Sequence, residues 1–574
     1  MYILGINAAF HDSAACILKD GDLLAAAEEE RFTHIKHGKR PVPFSAYELP
    51  FHAVDYCLET AGIHLNEVDK IAYSFNPALF METTGDEQIS LPLQPSAHEK
   101  PLPEGTSVWD PLFLSYIVNA PRQLSDGYPH HLQKNFMDSE VPANKNKWIY
   151  VNHHTAHAAS AFYPSPYEKA AVWVIDGRGE KATTSYYAGE NNQLTLLKQV
   201  NMPHSLGMLY EQVTTHLGFL HSSDEYKVMA LASYGKPVYA DFFRSKIHVG
   251  DCGDYTIDKL DLEKNLGPKR KRHEPFTEKQ FDIAHSLQLV LQETVLQLSQ
   301  WLYEATGYKN LVMAGGVALN CVMNAALRDN GPFENIWVQP ASGDAGTALG
   351  AALQVYFDDE KNATRHFRMD HVYWGPGFSD DEIEAFLKWT KVPYRKMENV
   401  AAETAELLAE NKIIGWYQGK MEFGPRALGS RSILASPLHA DMQQKLNEIK
   451  DREDFRPVAP VVLEEDAGDW FENASVSPFM LFVYHIKDGK GNQIPAVRHT
   501  DNTARIQTIN EKQNKIYYDL LKEFKKITGV PVLINTSFNT RGEPIVCTPR
   551  DAIECFWTSP FDALVINSFL LTKS

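Results

Sequence analysis

The chain has 574 residues, of which 44% are hydrophobic, 22% charged and 11% aromatic. That is the composition of a globular protein with a large core, and it excludes disorder or low complexity as the main theme. A formal charge of -18 argues against a bulk nucleic-acid or anionic-membrane binder, while leaving room for a local Arg and Lys cluster around a small anion.

The first forty residues read as a meander: YILGIN (2–7), SAACILKDG (13–21) and DLLAAAEEE (22–30), with a tight turn at Asp20-Gly21. The turn from Asn7 to Asp12 puts polar groups between two apolar strands. AEEER (27–31) reads as an exposed strand end. A Pro-rich stretch at 74–150 reads as a partly irregular surface insertion. VNHHTAHAASAFYP (151–164) is Ala-rich and stops at Pro164, which predicts a helix. A second meander follows, from AAVWVIDGRGE (170–180) through TTSYYAGENNQ to LTLLKQV. Strand, polar turn, strand, turn, strand thus occurs twice, as a duplicated α/β domain with a cleft between its halves would require.

The basic run PKRKRH (268–273) reads as a solvated loop. Apolar residues at helical spacing predict a long helix over 278–307, followed by a buried strand breaking at Gly315-Gly316. Composition shifts near 370. Ser379 and Glu382 form a capping box that opens a new helix, and strands are predicted at 413–419 and 530–538. The domains are therefore read as 1–370 and 371–574.

The six cysteines (Cys16, Cys57, Cys252, Cys321, Cys547 and Cys555) make no C-x-x-C pair, so neither a zinc ribbon nor a disulfide framework is expected. There is no signal-peptide pattern, and no apolar run approaches the roughly 18 residues of a membrane span. The protein is read as cytoplasmic.

Two constellations carry chemistry. His153 and His157 are four residues apart on one predicted helix, so both imidazoles share a face. With Asp176 and Asp344 they offer an N₂O₂ donor set suited to Fe(II), Mn(II) or Zn(II); the alternative is that the histidines cap or pack. The second constellation collects Arg426, Arg431, Lys450, Arg452, Arg456, Arg505 and Arg541 among Gly, Asn, Ser and Pro. Loop-borne arginines suit a bidentate clamp on a phosphate or carboxy-phosphate; structural Arg–carboxylate pairs are the alternative for any single one.

These residues also carry a resemblance. ILGINAAFHDSAA, EEERFTHIKHG, HHTAHAASAFY, VIDGRGE, AGGVALN, SGDAGTALGAA, GPRALGSRSI, KDREDFRP and NTSFNTRGEPI follow one another from residue 3 to residue 545. In content and order they resemble the NodU-type O-carbamoyltransferases. The resemblance implies a duplicated actin- and heat-shock-chaperone-like (TsaD-like) domain followed by a YrdC-like α/β domain. It implies ATP and Mg as co-substrate, and formation of carbamoyl-adenylate from carbamoyl phosphate and ATP. The carbamoyl group then passes to a hydroxyl of a small-molecule natural product, as in antibiotic biosynthesis.

Carried over by position, His153, His157, Asp176 and Asp344 become ligands of a divalent metal, with iron first in line. His11 becomes a transfer base, and Lys36 offsets phosphate charge. Gly207, Gly316 and Asn320 line the nucleotide cleft. Arg426, Lys450, Arg456, Arg505, Asn535 and Ser537 hold carbamoyl phosphate. Related enzymes imply a homodimer without nucleic-acid or membrane partners. Tyr226 and Ala230 depart from the glycines of the tobramycin-modifying relative, so the acceptor does not carry over. Two other readings stay open: a tRNA threonylcarbamoyl-adenosine synthesis enzyme, and a non-catalytic nucleotide switch.

Overall fold

The computed structural model describes residues 1–38, 49–79, 117–118, 120–121, 123–124, 147–540 and 542–573. Most of the 74–150 insertion lies outside the described residues, as does Arg541.

The first meander forms as its turn chemistry requires. Strands β1 (Tyr2–Asn7), β2 (Ala14–Lys19) and β3 (Asp22–Glu28) run antiparallel, and Asp20 and Gly21 take the positive φ of a tight hairpin turn. Strands β4 (Lys70–Tyr73) and β5 (Trp148–Tyr150) add in parallel, giving the order β3-β2-β1-β4-β5. The second sheet repeats this plan. Strands β6 (Lys169–Ile175), β7 (Ala182–Glu190) and β8 (Gln193–Asn201) form the meander. A separate small hairpin pairs β9 (Ile247–Val249) with β10 (Tyr255–Ile257). Strands β11 (Asn310–Ala314) and β12 (Asn335–Val338) then add in parallel, so the order β8-β7-β6-β11-β12 matches that of the first sheet.

Two helices lie between the sheets, Ala345–Asp359 against the first and His153–Phe162 against the second, and they pack on each other, sharing one core with β1, β2, β6 and β11. Glycines set how closely they approach. A Cβ on Gly5 of β1 would sit 2.1 Å from the Ala348 carbonyl oxygen, and one on Gly350 would sit 1.7 Å from that of Ala156. The long helix Glu278–Thr306, capped by Thr277 and ended by Gly307 at φ 64°, covers the other face of the second sheet.

The C-terminal half has its own core, from Ile383 to Leu571. It begins with helix Asp380–Thr390, opened by the Ser379–Glu382 capping box. Its strands are β13 (Arg395–Lys396), β14 (Ile414–Tyr417), β15 (Arg431–Ala435), β16 (Ala459–Leu463), β17 (Val483–His485), β18 (Thr503–Arg505), β19 (Gln507–Ile509), β20 (Val532–Ser537), β21 (Ala563–Ile566) and β22 (Phe569–Thr572). Eight of them form a mixed sheet in the order β13-β22-β21-β14-β15-β20-β16-β19. The fold is mixed α/β throughout, and no helix among the described residues is long and apolar enough to cross a membrane.

Two surface readings of the sequence are corrected here. AEEER is not an exposed strand end: Glu28, Glu29 and Arg31 are buried. Arg31 donates to the Gly424 carbonyl at 2.9 Å and pairs with Glu28 at 3.2 Å, while the Gly424 N–H donates to Glu28. These charges are buried because they stitch the two halves together. In PKRKRH, Arg270 is buried and its guanidinium lies 3.9 Å from the Phe276 ring centre, donating to the Leu217 carbonyl. Only its neighbours are solvated.

Candidate functional site

The polar turn after β1 is the foundation of the first centre. Asn7, fully buried, donates from Nδ2 to the carbonyls of His11 (3.1 Å) and Asp12 (3.0 Å), and accepts from Ser74 Oγ (2.9 Å). The Ser74 carbonyl accepts from His153 Nδ1 at 3.0 Å. In the neutral ring that bond puts the proton on Nδ1 and leaves the Nε2 lone pair facing inward. Glu180 accepts from the His153 and Asn76 backbone N–H groups and so caps the helix that carries both histidines.

His153, His157, Asp176 and Asp344 converge there, all buried, each with a ligand atom within 4.8 Å of the others. His153 Nε2 is 3.7 Å from Asp176 Oδ2 and 3.5 Å from Asp344 Oδ1; His157 Nε2 is 3.8 and 3.5 Å from the same atoms. His153 Nε2 and both ring nitrogens of His157 lie buried without a hydrogen-bond partner. Burial resists ionisation of Asp344, but the His11 and His153 charges and the imidazole contacts outweigh it and lower its carboxyl to about 2. Burial likewise opposes charge on His153, yet the Asp344 and Asp176 carboxylates raise it well above 6.5. The centre therefore favours a cation, and its two nitrogens and two carboxylates fit a divalent metal ion. His154 is not part of it: its Nδ1 is 2.8 Å from Ser185 Oγ, and burial lowers it to about 3.

His11 stands beside this centre, its Nε2 3.9 Å from Asp344 Oδ2. Of the three residues expected in a nucleotide cleft, Gly316 and Gly207 lie against Asp176. The Gly316 N–H donates to Asp176 Oδ1 at 2.9 Å. A Cβ on Gly207 would meet the Asp176 carbonyl at 2.7 Å, so glycine lets the helix Leu206–His216 start against that loop. Asn320 caps the helix Cys321–Asn330 by accepting from the Met323 N–H, and exchanges hydrogen bonds with Gln288. Its side chain acts in structure.

The second centre is cationic. Lys450 follows the helix Met442–Ile449, and its Nζ reaches Asn539 Oδ1 (2.7 Å) and Ser537 Oγ (3.1 Å) at the end of β20. Asn447, buried, donates to the carbonyls of Asp454 and Arg456 and so shapes the loop bearing Arg452 and Arg456. Burial lowers Lys450 well below 10.5, and Arg452, Arg456 and Lys36 add to the effect. Burial, then Arg505, lowers Arg426 to about 9; burial, then Arg456, lowers Arg452 to about 9. Among the described residues, the carboxylate in ion-pair reach of this cluster is Glu453, 3.6 Å from Arg456. So many cations facing so little negative charge suit an anion. Asn535 sits beneath, its Nδ2 donating to the Ala427 carbonyl and to Gln507 Oε1.

One arginine of the motif is not available. Arg431 is fully buried at the start of β15, donates to the carbonyls of Gln418, Ser430, Pro376 and Gly419, and stacks 3.5 Å over the Tyr417 ring. It organises the glycine loop instead of binding a ligand.

The two centres meet. Arg426 Nη2 donates to the Leu319 carbonyl at 3.2 Å, in the turn whose Gly316 holds Asp176. Tyr226, from the N-terminal half, lies with its ring 4.8 Å from the Arg456 guanidinium.

A family model described as Carbamoyltransferase N-terminus matches residues 2–353, and one described as Carbamoyltransferase C-terminus matches residues 405–573. The chain belongs to the carbamoyltransferase family. It is 40% identical to an uncharacterised protein of Synechocystis, over 100% of this chain and 97% of that one. It is 38% identical to the nodulation protein NolNO of Sinorhizobium fredii, over 99% of this chain and 80% of that one. Among solved structures, it is similar to (R)-2-hydroxyglutaryl-CoA dehydratase component A of Acidaminococcus fermentans, at 15% identity and a TM-score of 0.33, covering 63% of this chain and 99% of that one. Similarity to HypF of T. kodakarensis is at 13% identity and a TM-score of 0.32, covering 64% and 49% of the two chains. The chain is thus a carbamoyltransferase enzyme, which sets aside the non-catalytic switch.

Asp12, His37, Ser74 and Glu180 escaped the sequence reading. The polar turn from Asn7 to Asp12 was the one signal for Asp12; the others act through contacts made only after folding.

Proposed function

We propose that this carbamoyltransferase is an ATP-dependent O-carbamoyltransferase working in two steps at two centres. The cationic centre takes carbamoyl phosphate, releases phosphate and joins the carbamate to ATP as carbamoyl-adenylate, with pyrophosphate leaving. The His/Asp centre then passes the carbamoyl group to a hydroxyl of a small natural product. In this reading residues 1–370 are the TsaD-like, actin-type duplicated domain, a view supported by the shared strand order of its two sheets. Residues 371–574 are the YrdC-like domain, with its own core.

The observation that carries this reading is the cationic cluster of Lys450, Arg452, Arg456, Arg505 and Arg426, with Glu453 as the carboxylate paired to it among the described residues. Arg456, Arg505 and Arg426 hold the phosphate oxygens and stabilise the charge that develops as phosphate departs. Lys450 and Lys36 add point charge, while Ser537 and Asn535 Oδ1 offer partners to the carbamoyl amide. His153, His157, Asp176 and Asp344 would hold a divalent metal, Fe(II) by family resemblance, which supplies Lewis acidity toward an oxygen ligand. His11 accepts the acceptor hydroxyl proton. The Leu319–Arg426 and Tyr226–Arg456 contacts bring the two halves together beside the centres, and the reading requires a water-labile carbamate to pass between them shielded from bulk solvent.

The test is a purified-enzyme assay with carbamoyl phosphate, ATP and Mg. Phosphate and pyrophosphate are expected, pyrophosphate only when carbamoyl phosphate is present. Pyrophosphate formed from bicarbonate and threonine instead would favour threonylcarbamoyl chemistry and overturn this reading.

A further inference from the structure

Asp12 lies between two imidazoles. Its Oδ2 is 2.8 Å from His11 Nδ1, and its Oδ1 is 2.8 Å from His37 Nδ1. The far nitrogens point in different directions: His11 Nε2 faces Asp344 Oδ2 at 3.9 Å, and His37 Nε2 is 3.1 Å from Ser223 Oγ. An ionised carboxylate only accepts, so each Nδ1 carries a proton. In a neutral ring the lone pair then resides on Nε2, which in His11 is the nitrogen on the side of the His/Asp centre.

The backbone is built around this carboxylate. Asp12 has φ 54°, in the left-handed region, and its N–H donates to the His37 carbonyl at 3.1 Å. Asn7 holds the carbonyls of His11 and Asp12 from below. Through Ser74 the same Asn7 reaches the carbonyl that orients His153. The turn that aims His11 and the bond that aims one candidate metal ligand therefore share one buried asparagine.

We propose that Asp12 is a positioning residue of the transfer step, shared by His11 and His37, which holds His11 as its Nδ1–H tautomer with Nε2 turned to the acceptor. This rests on the carbamoyl-transfer reading above. In the step, the acceptor oxygen bonds to the carbamoyl carbon and its proton passes to His11 Nε2. The bond from that carbon to the adenylate phosphate oxygen breaks, and AMP leaves with the electron pair. An aspartate fixing the tautomer of a catalytic histidine is the logic of the Ser-His-Asp hydrolases, and Asp12, partly exposed, takes the same hydrogen-bonding role. His37 holds the second carboxylate oxygen so that Asp12 cannot rotate away. Ser223, in the loop before the helix Glu225–Leu231, holds His37 in turn.

The test uses the full-length, metal-free protein with ¹⁵N-labelled histidine, read by long-range ¹H–¹⁵N spectra at pH 8.5, above the ordinary imidazole pKa of about 6.5. Comparison with His11→Gln and His37→Gln assigns the two rings. In the wild type both are expected as Nδ1–H tautomers; in Asp12→Asn, His11 shifts to Nε2–H or to a mixture. Asparagine accepts a left-handed φ as readily as aspartate, so the turn survives the substitution. A parallel assay on the metal-loaded enzyme uses water as the acceptor and follows AMP formed from carbamoyl phosphate and ATP. Asp12→Asn is expected to lower kcat about 100-fold or more, with KM for carbamoyl phosphate within about twofold.

An unchanged His11 tautomer in Asp12→Asn, or a kcat within about threefold of wild type, overturns the proposal. If the wild type itself makes no AMP, the two-step reading fails, and the spectra still decide the role of Asp12. Should Asp12→Asn not fold, His37→Ala takes its place. A kcat loss of about tenfold with the His11 tautomer retained supports the shared carboxylate, and an unchanged kcat overturns it.

Discussion

Lys227 Nζ lies 3.1 Å from Glu453 Oε1, and this ion pair joins the helix Glu225–Leu231 of the N-terminal half to the loop that carries Arg452 and Arg456. Lys227 also pairs with Asp224, and Glu453 faces Arg456. The helix thus contributes a wall to the cationic centre, and Tyr226 is the part of that wall touching Arg456. The sequence reading noted Tyr226 as a departure bearing on the acceptor; in the structure its ring lies against Arg456, a carbamoyl-phosphate candidate. A half-exposed cation–π contact contributes about 0.5–1 kcal/mol. Tyr226→Ala is therefore expected to raise KM for carbamoyl phosphate roughly two- to fivefold with little change in kcat, and Tyr226→Phe to behave as wild type. Initial-rate kinetics of phosphate release check this.

Arg456→Ala is expected to abolish most phosphate release from carbamoyl phosphate at subsaturating substrate. Charge-assisted hydrogen bonds are worth about 1.5–3 kcal/mol each, so the loss in kcat/KM is roughly 10- to 150-fold. Undiminished release would remove Arg456 from the site. Arg431→Ala should fail differently: its guanidinium is buried and bonds to carbonyls that join Pro376 to the 418–430 loop, so lower thermal stability is expected to accompany any loss of rate.

Lys450 predicts a pH dependence. Burial, with Arg452 and Arg456 nearby, lowers its pKa well below 10.5 in the folded protein. Between that lowered value and 10.5 the unfolded chain binds the extra proton, so Lys450 makes stability rise with pH through this window. A bound anion has the opposite preference, because it favours the charged amine. KM for carbamoyl phosphate should therefore rise with pH across the same window. Lys450→Arg, whose guanidinium holds its proton more strongly than the amine, should flatten that rise. A wild-type profile as flat as that of the variant would place Lys450 outside the anion site.

Much of this was legible in the sequence, and the failures share a cause. The strands at 2–7 and 169–175 and the long helix from Glu278 follow from periodicity and turn residues, which are local. The His/Asp centre was legible because two of its four residues are one helical turn apart, and Asp176 and Asp344, at the ends of apolar or Gly-rich segments, completed an N₂O₂ set that the resemblance then matched. Glu28, Arg31 and Arg270 were misread because charged residues near a turn look solvated until another segment folds over them. For Glu28 and Arg31 that segment is the Gly424 loop, almost 400 residues away. Arg431 was misread for the same reason: its carbonyl partners come from loops that only tertiary structure assembles.

Gly350 tests how the fold positions the first centre. It lies in the helix that begins after Asp344 and packs on the helix bearing His153 and His157. Alanine would favour the helix by about 0.5–1 kcal/mol. Its Cβ, however, would meet the Ala156 carbonyl at 1.7 Å, and a backbone oxygen cannot rotate aside. Overpacking of this kind costs about 1–3 kcal/mol, so the clash wins. Gly350→Ala should lower the melting temperature and weaken metal retention together. Calorimetry and metal analysis of the same sample check the pair.

His157→Ala separates the two centres. One imidazole of the N₂O₂ set disappears, and the remaining nitrogen faces two carboxylates without its partner. Metal content should fall, and carbamoyl transfer with it. The cationic centre lies in the other half of the chain and touches this one through the Leu319–Arg426 contact, which the substitution leaves in place. Phosphate release from carbamoyl phosphate should therefore continue, with some pyrophosphate. Metal analysis, both half-reactions and a thermal melt on one preparation decide the matter. If phosphate release fell as far as transfer in a folded variant, one composite site would replace two. Full transfer activity with no metal in either protein would instead make the four buried residues a structural cluster.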